Sequence, residues 1–178
     1  MEKKIKKVKI LSSKTNFEGK WVTVRTDKII KPDGTRATHE VVGRGNAVVV
    51  VAPKDNKYCM VRMYRYAVNG KSWEFPMGTI DKGELSTIAA KRELKEETGL
   101  IAEKLKYIDM FWPFPGMSSQ KMLVYLASDL TVGKRNLDET ESDMECKYFT
   151  KKEILKMVKE NKIKNGPTLA TLSLLEQS

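Results

Sequence analysis

Residues 46–52 read Asn-Ala-Val-Val-Val-Val-Ala, and this run limits the possible folds more than any other stretch of the chain. Four consecutive valines favour an extended backbone, and a strand this apolar has to be buried. The residues on either side supply material to cover it. Asp55-Asn56 marks a turn, and residues 58–66 then alternate as a second strand, with Arg62 and Tyr64 facing away from Val61 and Met63. A loop containing Gly70 and Pro76 follows. Residues 86–98 read as a helix closed by Gly99, a suitable first residue beyond a helix end. Strands are expected near 104–111 and 121–128, then a polar loop over 133–143 and a strand over 145–149. Thr150 and Glu153 make a capping box for another helix. Pro167 opens a last helix, with Leu169, Leu172 and Leu175 along its buried face. Irregular alternation of strands and helices predicts a mixed α/β layer fold. Ahead of this body, residues 5–30 alternate loosely, Pro32-Asp33-Gly34 signals a hairpin turn, and 39–44 read as the returning strand. Residues 1–45 are therefore expected to form a small antiparallel β unit, with 46–178 as the main domain.

Composition narrows the chemistry. At 178 residues the chain is the size of one ordinary domain. It has one histidine, His39, too few for a multi-histidine zinc site and an argument against a Ser-His-Asp triad. Its two cysteines, Cys59 and Cys146, sit in apolar, strand-like surroundings. They read as core residues of a protein in a reducing cytoplasm, not as a disulfide framework. No apolar run reaches membrane-spanning length, and the basic N-terminus has no apolar stretch behind it, so no secretory signal is expected. Lys and Arg outnumber Asp and Glu by 33 to 23, a formal charge of +10. Such an excess suits a phosphate-rich partner. The lysines are dispersed, however, with no basic stripe among aromatic residues, which is the pattern of a solvated surface.

The chemistry concentrates in residues 78–100. Glu93, Glu96 and Glu97 stand at i, i+3 and i+4 of the expected helix, so their carboxylates share one face. Like charges at that spacing repel, and the last turn of a helix disfavours anions. A helix built only for stability would carry lysines there, so a local rule broken twice points to a functional site. A hard divalent cation resolves the conflict: Mg²⁺ takes oxygen ligands and keeps room for substrate phosphates. Arg92 can pair with Glu84 or Glu96 and hold a rotamer, and the Gly78–Gly83 segment can bring backbone carbonyls to the same ions. An acidic cluster alone is usually a solvated face, but that reading leaves the glycines and the arginine unexplained.

These residues resemble the Nudix hydrolase family. Its box runs Gly, five residues, Glu, seven residues, then Arg-Glu-apolar-any-Glu-Glu-any-Gly-apolar. Gly78, Glu84, Arg92, Glu93, Leu94, Glu96, Glu97, Gly99 and Leu100 fill every fixed position. The resemblance extends to the family's ADP-ribose pyrophosphatase branch and covers most of the chain. Glu18-Gly-Lys-Trp21 resembles that branch's N-terminal strand. Val61-Arg-Met-Tyr-Arg65-Tyr resembles the strand whose second arginine touches substrate phosphate. Trp73-Glu-Phe-Pro-Met77-Gly78 resembles its approach to the box, with Met77 in place of the usual alanine. Pro115 stands 16 residues beyond Gly99, at the branch's marker proline. Leu137-Asp-Glu-Thr-Glu141 resembles its acidic catalytic loop, one residue longer here, and Asn165-Gly-Pro-Thr168 its C-terminal helix start. The loop Phe114-Pro-Gly-Met-Ser-Ser-Gln120 lacks the common serine and glutamate.

The resemblance implies a Nudix-type α/β/α sandwich with a mixed sheet, preceded by the β unit. It implies Mg²⁺-dependent hydrolysis of ADP-ribose or a related nucleoside diphosphate sugar, with Mn²⁺ as the other candidate ion. Glu93, Glu97, Glu96, Glu84 and the Met77 carbonyl would hold or orient the metal. Glu141 or Glu139 would act as base, with Glu96 and Arg92 at the reacting centre. Trp21, His39, Arg44, Arg65 and Pro115 would bind substrate. Members of the branch are dimers with exchanged N-terminal strands, so a homodimer is expected here. Another nucleotide sugar, a capped or 5′-triphosphorylated RNA, and a basic nucleic-acid-binding role are the rival readings, and the intact carboxylates argue against the last.

Overall fold

The computed structural model describes residues 7–137 and 143–177. They divide into two compact units. One contains the residues up to Gly45 together with Phe114–Gln120, and the other contains Asn46–Pro113 and the residues from Lys121 onward.

In the smaller unit, β1 (Lys9–Glu18), β2 (Thr23–Ile30) and β3 (Arg36–Gly43) form an antiparallel sheet in that order. The predicted turn joins β2 to β3. Asp33 accepts hydrogen bonds from the Thr35 amide and hydroxyl, and Gly34 takes the positive φ of 88° that a side chain would strain. β3 starts at Arg36, earlier than the spacing suggests. Among the described residues of this unit only Asp27 is buried. Ser13 donates to Asp27 at 2.6 Å and Arg25 at 3.1 Å, and these bonds hold the Asp27 carboxyl below its usual value.

In the larger unit, β4 (Ala47–Val51) is buried at all five positions. Its sheet has the order β8-β4-β10-β9, with β8 (Met77–Thr79), β9 (Leu100–Phe111) and β10 (Met122–Val132). β10 runs parallel to β4, and the other pairs are antiparallel, so the sheet is mixed. β5 (Pro53–Lys54), β6 (Lys57–Arg65), β7 (Gly70–Glu74) and β11 (Glu145–Thr150) form a second sheet centred on β6.

The alternation of β4 decides what packs where. Val48 and Val50 join Ala89, Ala90 and Leu94 of α1 (Ser86–Thr98) in one cluster. Val49 and Val51 face the opposite way, toward Phe75, Ile154 and Met157 of α2 (Lys151–Lys159), and Ile163. Leu172 and Leu175 of α3 (Gly166–Leu175) pack against this second cluster. Helices thus cover both faces of the valine strand, giving an α/β/α sandwich. The capping box at α2 is present: Glu153 N–H donates to the Thr150 hydroxyl, and Thr150 N–H to the Glu153 carboxylate. No helix among the described residues is long and apolar enough to cross a membrane.

Two expectations fail. The segment after β6 is not only loop: residues 70–74 return as β7, antiparallel to β6. In α3, Leu169 is exposed, and Thr168 and Thr171 take the buried positions. The Thr168 hydroxyl accepts a hydrogen bond from Phe75 N–H at 3.1 Å, which compensates for burying it.

Leu94 is fully buried between α1 and β4. Leu94→Ala is expected to cost about 2–5 kcal/mol of folding stability. Urea unfolding followed by circular dichroism checks this.

Candidate active site

Edge strand β8 and helix α1 build the site together. Along β8 the backbone groups alternate in direction. Val50 N–H bonds to the Pro76 carbonyl and Ile80 N–H to the Asn46 carbonyl, so these groups face β4. Met77 and Thr79 face the open edge. Met77 N–H donates to Glu97 Oε2 at 3.2 Å, and the Thr79 carbonyl accepts from Arg92 Nη2 at 2.9 Å. By the same alternation the Met77 carbonyl lies on the Glu97 side of the strand.

Gly78 lies between these two residues. A Cβ there would overlap the carboxylate of Glu93, so only glycine lets β8 pass this close to α1. Gly83 has a different role. Its φ of 85° closes the turn after Asp81, where Asp81 N–H donates to Glu84 Oε2 at 3.0 Å.

Arg92 is the hub of the site. Its Nε and Nη2 grip Glu84 at 3.0 and 2.9 Å, a bidentate pair. Its Nη1 donates to Glu93 at 2.7 Å and to Glu96 at 3.2 Å. The expected partners Glu84 and Glu96 are therefore both engaged, along with Glu93 and the Thr79 carbonyl. The arginine beside Glu84 holds that carboxyl below its ordinary value, and the surrounding carboxylates push the Arg92 pKa up.

Glu93 and Glu97 are both buried. Carboxylates are almost never buried without partners. The carbonyl end of α1 should make this worse, yet the structure relieves it. Arg135 Nε donates to the Glu97 carbonyl at 2.8 Å, Asn136 N–H to the Glu96 carbonyl at 3.2 Å, and Gly133 N–H to the Gly99 carbonyl at 2.7 Å. The segment over 133–136 therefore caps the end of α1 with donors and a cation. In sequence this stretch is a polar loop, and nothing local marks Arg135, whose position depends on a contact 38 residues away.

The donors here are all oxygen: two buried carboxylates, two further carboxylates and an outward-facing backbone carbonyl. That set suits a hard divalent cation. Among the described residues no three acidic, histidine or cysteine side chains converge as a complete metal cage. An ion such as Mg²⁺ does not need one, since it binds through one or two carboxylates and keeps several waters. Glu93, Glu97 and Met77 thus fit a divalent ion.

The expected substrate-binding residues fall in both units. Arg65 is in the larger one, where buried Glu74 grips it through Nη2 at 2.6 Å and Nε at 3.2 Å. In sequence Glu74 carries no signal of its own beyond its place in the Trp73-Glu-Phe-Pro stretch. Trp21, His39, Arg44 and Pro115 all fall in the smaller unit. Trp21 and Arg44 line one open groove with Lys20, whose Nζ stands 4.7 Å from the centre of the Trp21 ring. The turn carrying Pro115 is tied to the end of β3: Val42 N–H bonds to the Met117 carbonyl and Gln120 Nε2 to the Gly45 carbonyl. His39 does not join the groove. It is exposed further along β3, opposite Asp27. Glu139 and Glu141 lie outside the described residues.

A NUDIX domain matches residues 43–172, and a nucleoside diphosphate sugar hydrolase N-terminal domain matches residues 8–42. The chain is 33% identical to the ADP-ribose pyrophosphatase of Bacillus subtilis, over 94% of this chain and 92% of that protein. It is 30% identical to the methanol dehydrogenase activator of Bacillus methanolicus over the same shares. The crystal structure of an ADP compounds hydrolase superposes with a TM-score of 0.86 at 24% identity, covering 98% of this chain and 95% of the other, a likeness of fold.

Gly78→Ala is expected to displace the Glu93 carboxylate and lower hydrolytic kcat/KM by about 100-fold, the scale of a 1 Å misplacement. The circular dichroism spectrum should stay native. Steady-state kinetics beside that spectrum separate a displaced carboxylate from an unfolded chain.

Proposed function

The chain belongs to the Nudix hydrolases, and from that premise we propose that it splits the diphosphate of ADP-ribose or a closely related nucleoside diphosphate sugar. Water adds to one phosphorus, and the bridging oxygen departs with the other phosphate. From ADP-ribose the products are AMP and ribose 5-phosphate. The observation that carries this reading is the buried pair Glu93, held beside Gly78 by Arg92, and Glu97, held by the Met77 amide. The ADP-ribose choice rests on the similarity to the Bacillus subtilis enzyme over nearly the whole chain.

Each residue has a distinct part in this reading. Glu93, Glu97 and the Met77 carbonyl would hold Mg²⁺, with Mn²⁺ as a substitute, while Glu84 and Glu96 orient the set through Arg92. The ion, when bound, neutralises phosphate charge and lowers the pKa of the attacking water. Arg65, its guanidinium oriented by Glu74, binds a phosphate oxygen. Glu141, or Glu139 beside it, takes the proton from water. The groove of Trp21 and Arg44 receives the base, with Pro115 in the neighbouring loop, while His39, outside the groove, has no part in it. The proposed assembly is a cytoplasmic homodimer in which the N-terminal unit of one copy serves the site of the other.

A substrate panel at saturating Mg²⁺ tests the reading. ADP-ribose should turn over well above ATP, dGTP and 5′-triphosphorylated RNA, and Glu97→Gln should lose several orders of magnitude in rate without unfolding. Faster turnover of nucleoside triphosphates, or near-native activity of Glu97→Gln, overturns it. For the groove, base stacking on an aromatic side chain is worth about 1–3 kcal/mol. Trp21→Ala should therefore raise KM about tenfold and change kcat less, because the base lies away from the scissile bond.

A further inference from the structure

Cys59 and Cys146 are 87 residues apart in sequence, yet their sulfurs lie 3.2 Å from each other. Both are free thiols. They sit on neighbouring strands, β6 and β11, in diagonal register: Cys59 is opposite Tyr148, and Cys146 is opposite Val61. Diagonal neighbours in an antiparallel pair meet only when both side chains lean toward each other, as these two do. Cys59 is fully buried and Cys146 half-buried, so the only side from which a solute could approach the pair is that of Cys146.

We propose that Cys59 and Cys146 form an oxidisable dithiol site, which hydrogen peroxide converts to an intramolecular disulfide and a small thiol restores. The proposal is independent of the substrate assigned above. The two thiols are unequal partners. Cys146 is the less buried of the two and lies near the Arg135 guanidinium, and the contact with Cys59 and that cation pull its thiol down, while the contact with Cys146 and burial push Cys59 up. Cys146 is therefore the attacking thiolate. Its sulfur bonds to one oxygen of hydrogen peroxide, the O–O bond breaks, and the hydroxide that leaves takes up the proton Cys146 gave up on ionising, giving water and a sulfenic acid at Cys146. The Cys59 sulfur then attacks the Cys146 sulfur, the S–O bond breaks, and the departing hydroxide takes the Cys59 proton as water. Two thiols lose two electrons in all, and one peroxide becomes two waters.

Closing the bond draws the sulfurs from contact to ~2.05 Å, a movement of about 1 Å across β6 and β11. Arg135 gives that movement a route to the carboxylate helix. Its Nη2 donates to the carbonyl of Met144, two residues before Cys146, and its Nε to the carbonyl of Glu97. Oxidation is thus expected to slow hydrolysis as well as to link the cysteines.

The chain has only two cysteines, so the test is unambiguous. Reduced full-length protein is treated with hydrogen peroxide, alkylated, and analysed by intact mass and non-reducing peptide mapping. Both thiols should become unreactive, with a peptide linking Cys59 to Cys146 in a protein that still migrates as a single chain. Dithiothreitol should restore both thiols. Cys59→Ser should stop at a sulfenic acid on Cys146, trapped by dimedone, and melting curves should show both single serine variants folded. Thiols that stay reactive, a link between two chains, or oxidation to sulfinic acid without linkage would overturn the site. ADP-ribose hydrolysis should fall severalfold on linkage and recover on reduction, and an unchanged rate in the linked protein would overturn the route through Arg135.

Discussion

The guanidinium of Arg92 holds together a set of groups that would otherwise repel. Four carboxylates and two backbone carbonyls gather where β8 meets the end of α1, and three of those carboxylates bond directly to this one side chain. A lysine could not replace it. An ammonium is a point charge with no planar fork, whereas Arg92 grips Glu84 bidentately and still reaches Glu93, Glu96 and the Thr79 carbonyl. Glu84 does not lie on α1, so its pairing also ties the turn at Gly83 to the helix. The fold and the site therefore depend on the same bonds.

Arg92 cannot by itself settle the helix end. The last carbonyls of α1 point away from it and need their own donors. The segment over 133–136 supplies them from a distant part of the chain, through Arg135 and two backbone amides. Glu97 consequently has a cation at its backbone and an amide, from Met77, at its side chain. An acidic residue in a last helical turn is costly in isolation. Here the surrounding backbone is arranged to tolerate it.

The sequence made the chemistry more legible than the packing. The box residues are local, within one turn and one helix, so spacing alone put Glu93 and Glu97 on one face and Gly99 at the helix end, where its φ of 77° confirms the cap. β7 was hidden because Gly70 and Pro76 bracket it. Both are loop formers, and only pairing with β6 makes the residues between them a strand. In α3 the apolar residues surround the helix without a marked stripe, so the spacing places Leu172 and Leu175 rightly but not Leu169, which lies exposed beside Thr168, whose hydroxyl is turned inward to Phe75 N–H. Arg135, Glu74 and the nearness of the cysteines depend on contacts 9 to 87 residues apart, which no local pattern records.

The smaller unit poses a different physical problem. A three-stranded sheet is stable when it has an apolar face to cover. In this unit the single buried side chain among the described residues is Asp27, a carboxylate bonded to Ser13 and Arg25. Asp27 fixes the register of β1 on β2, because a one-residue slip would carry Ser13 to the other face. It contributes no hydrophobic driving force. All ten residues of β1 are exposed, with Ile10, Leu11 and Phe17 among them, and β1 is an edge strand. Proteins normally blunt such an edge or pair it. Lys9 and Lys14 blunt it in part, but they do not remove the apolar surface. A second copy of the chain would cover both the edge and the apolar residues, which is the physical ground for the proposed dimer. In the proposed dimer the same contact would stiffen the backbone around Trp21 and Arg44, which a groove proposed to receive a base requires.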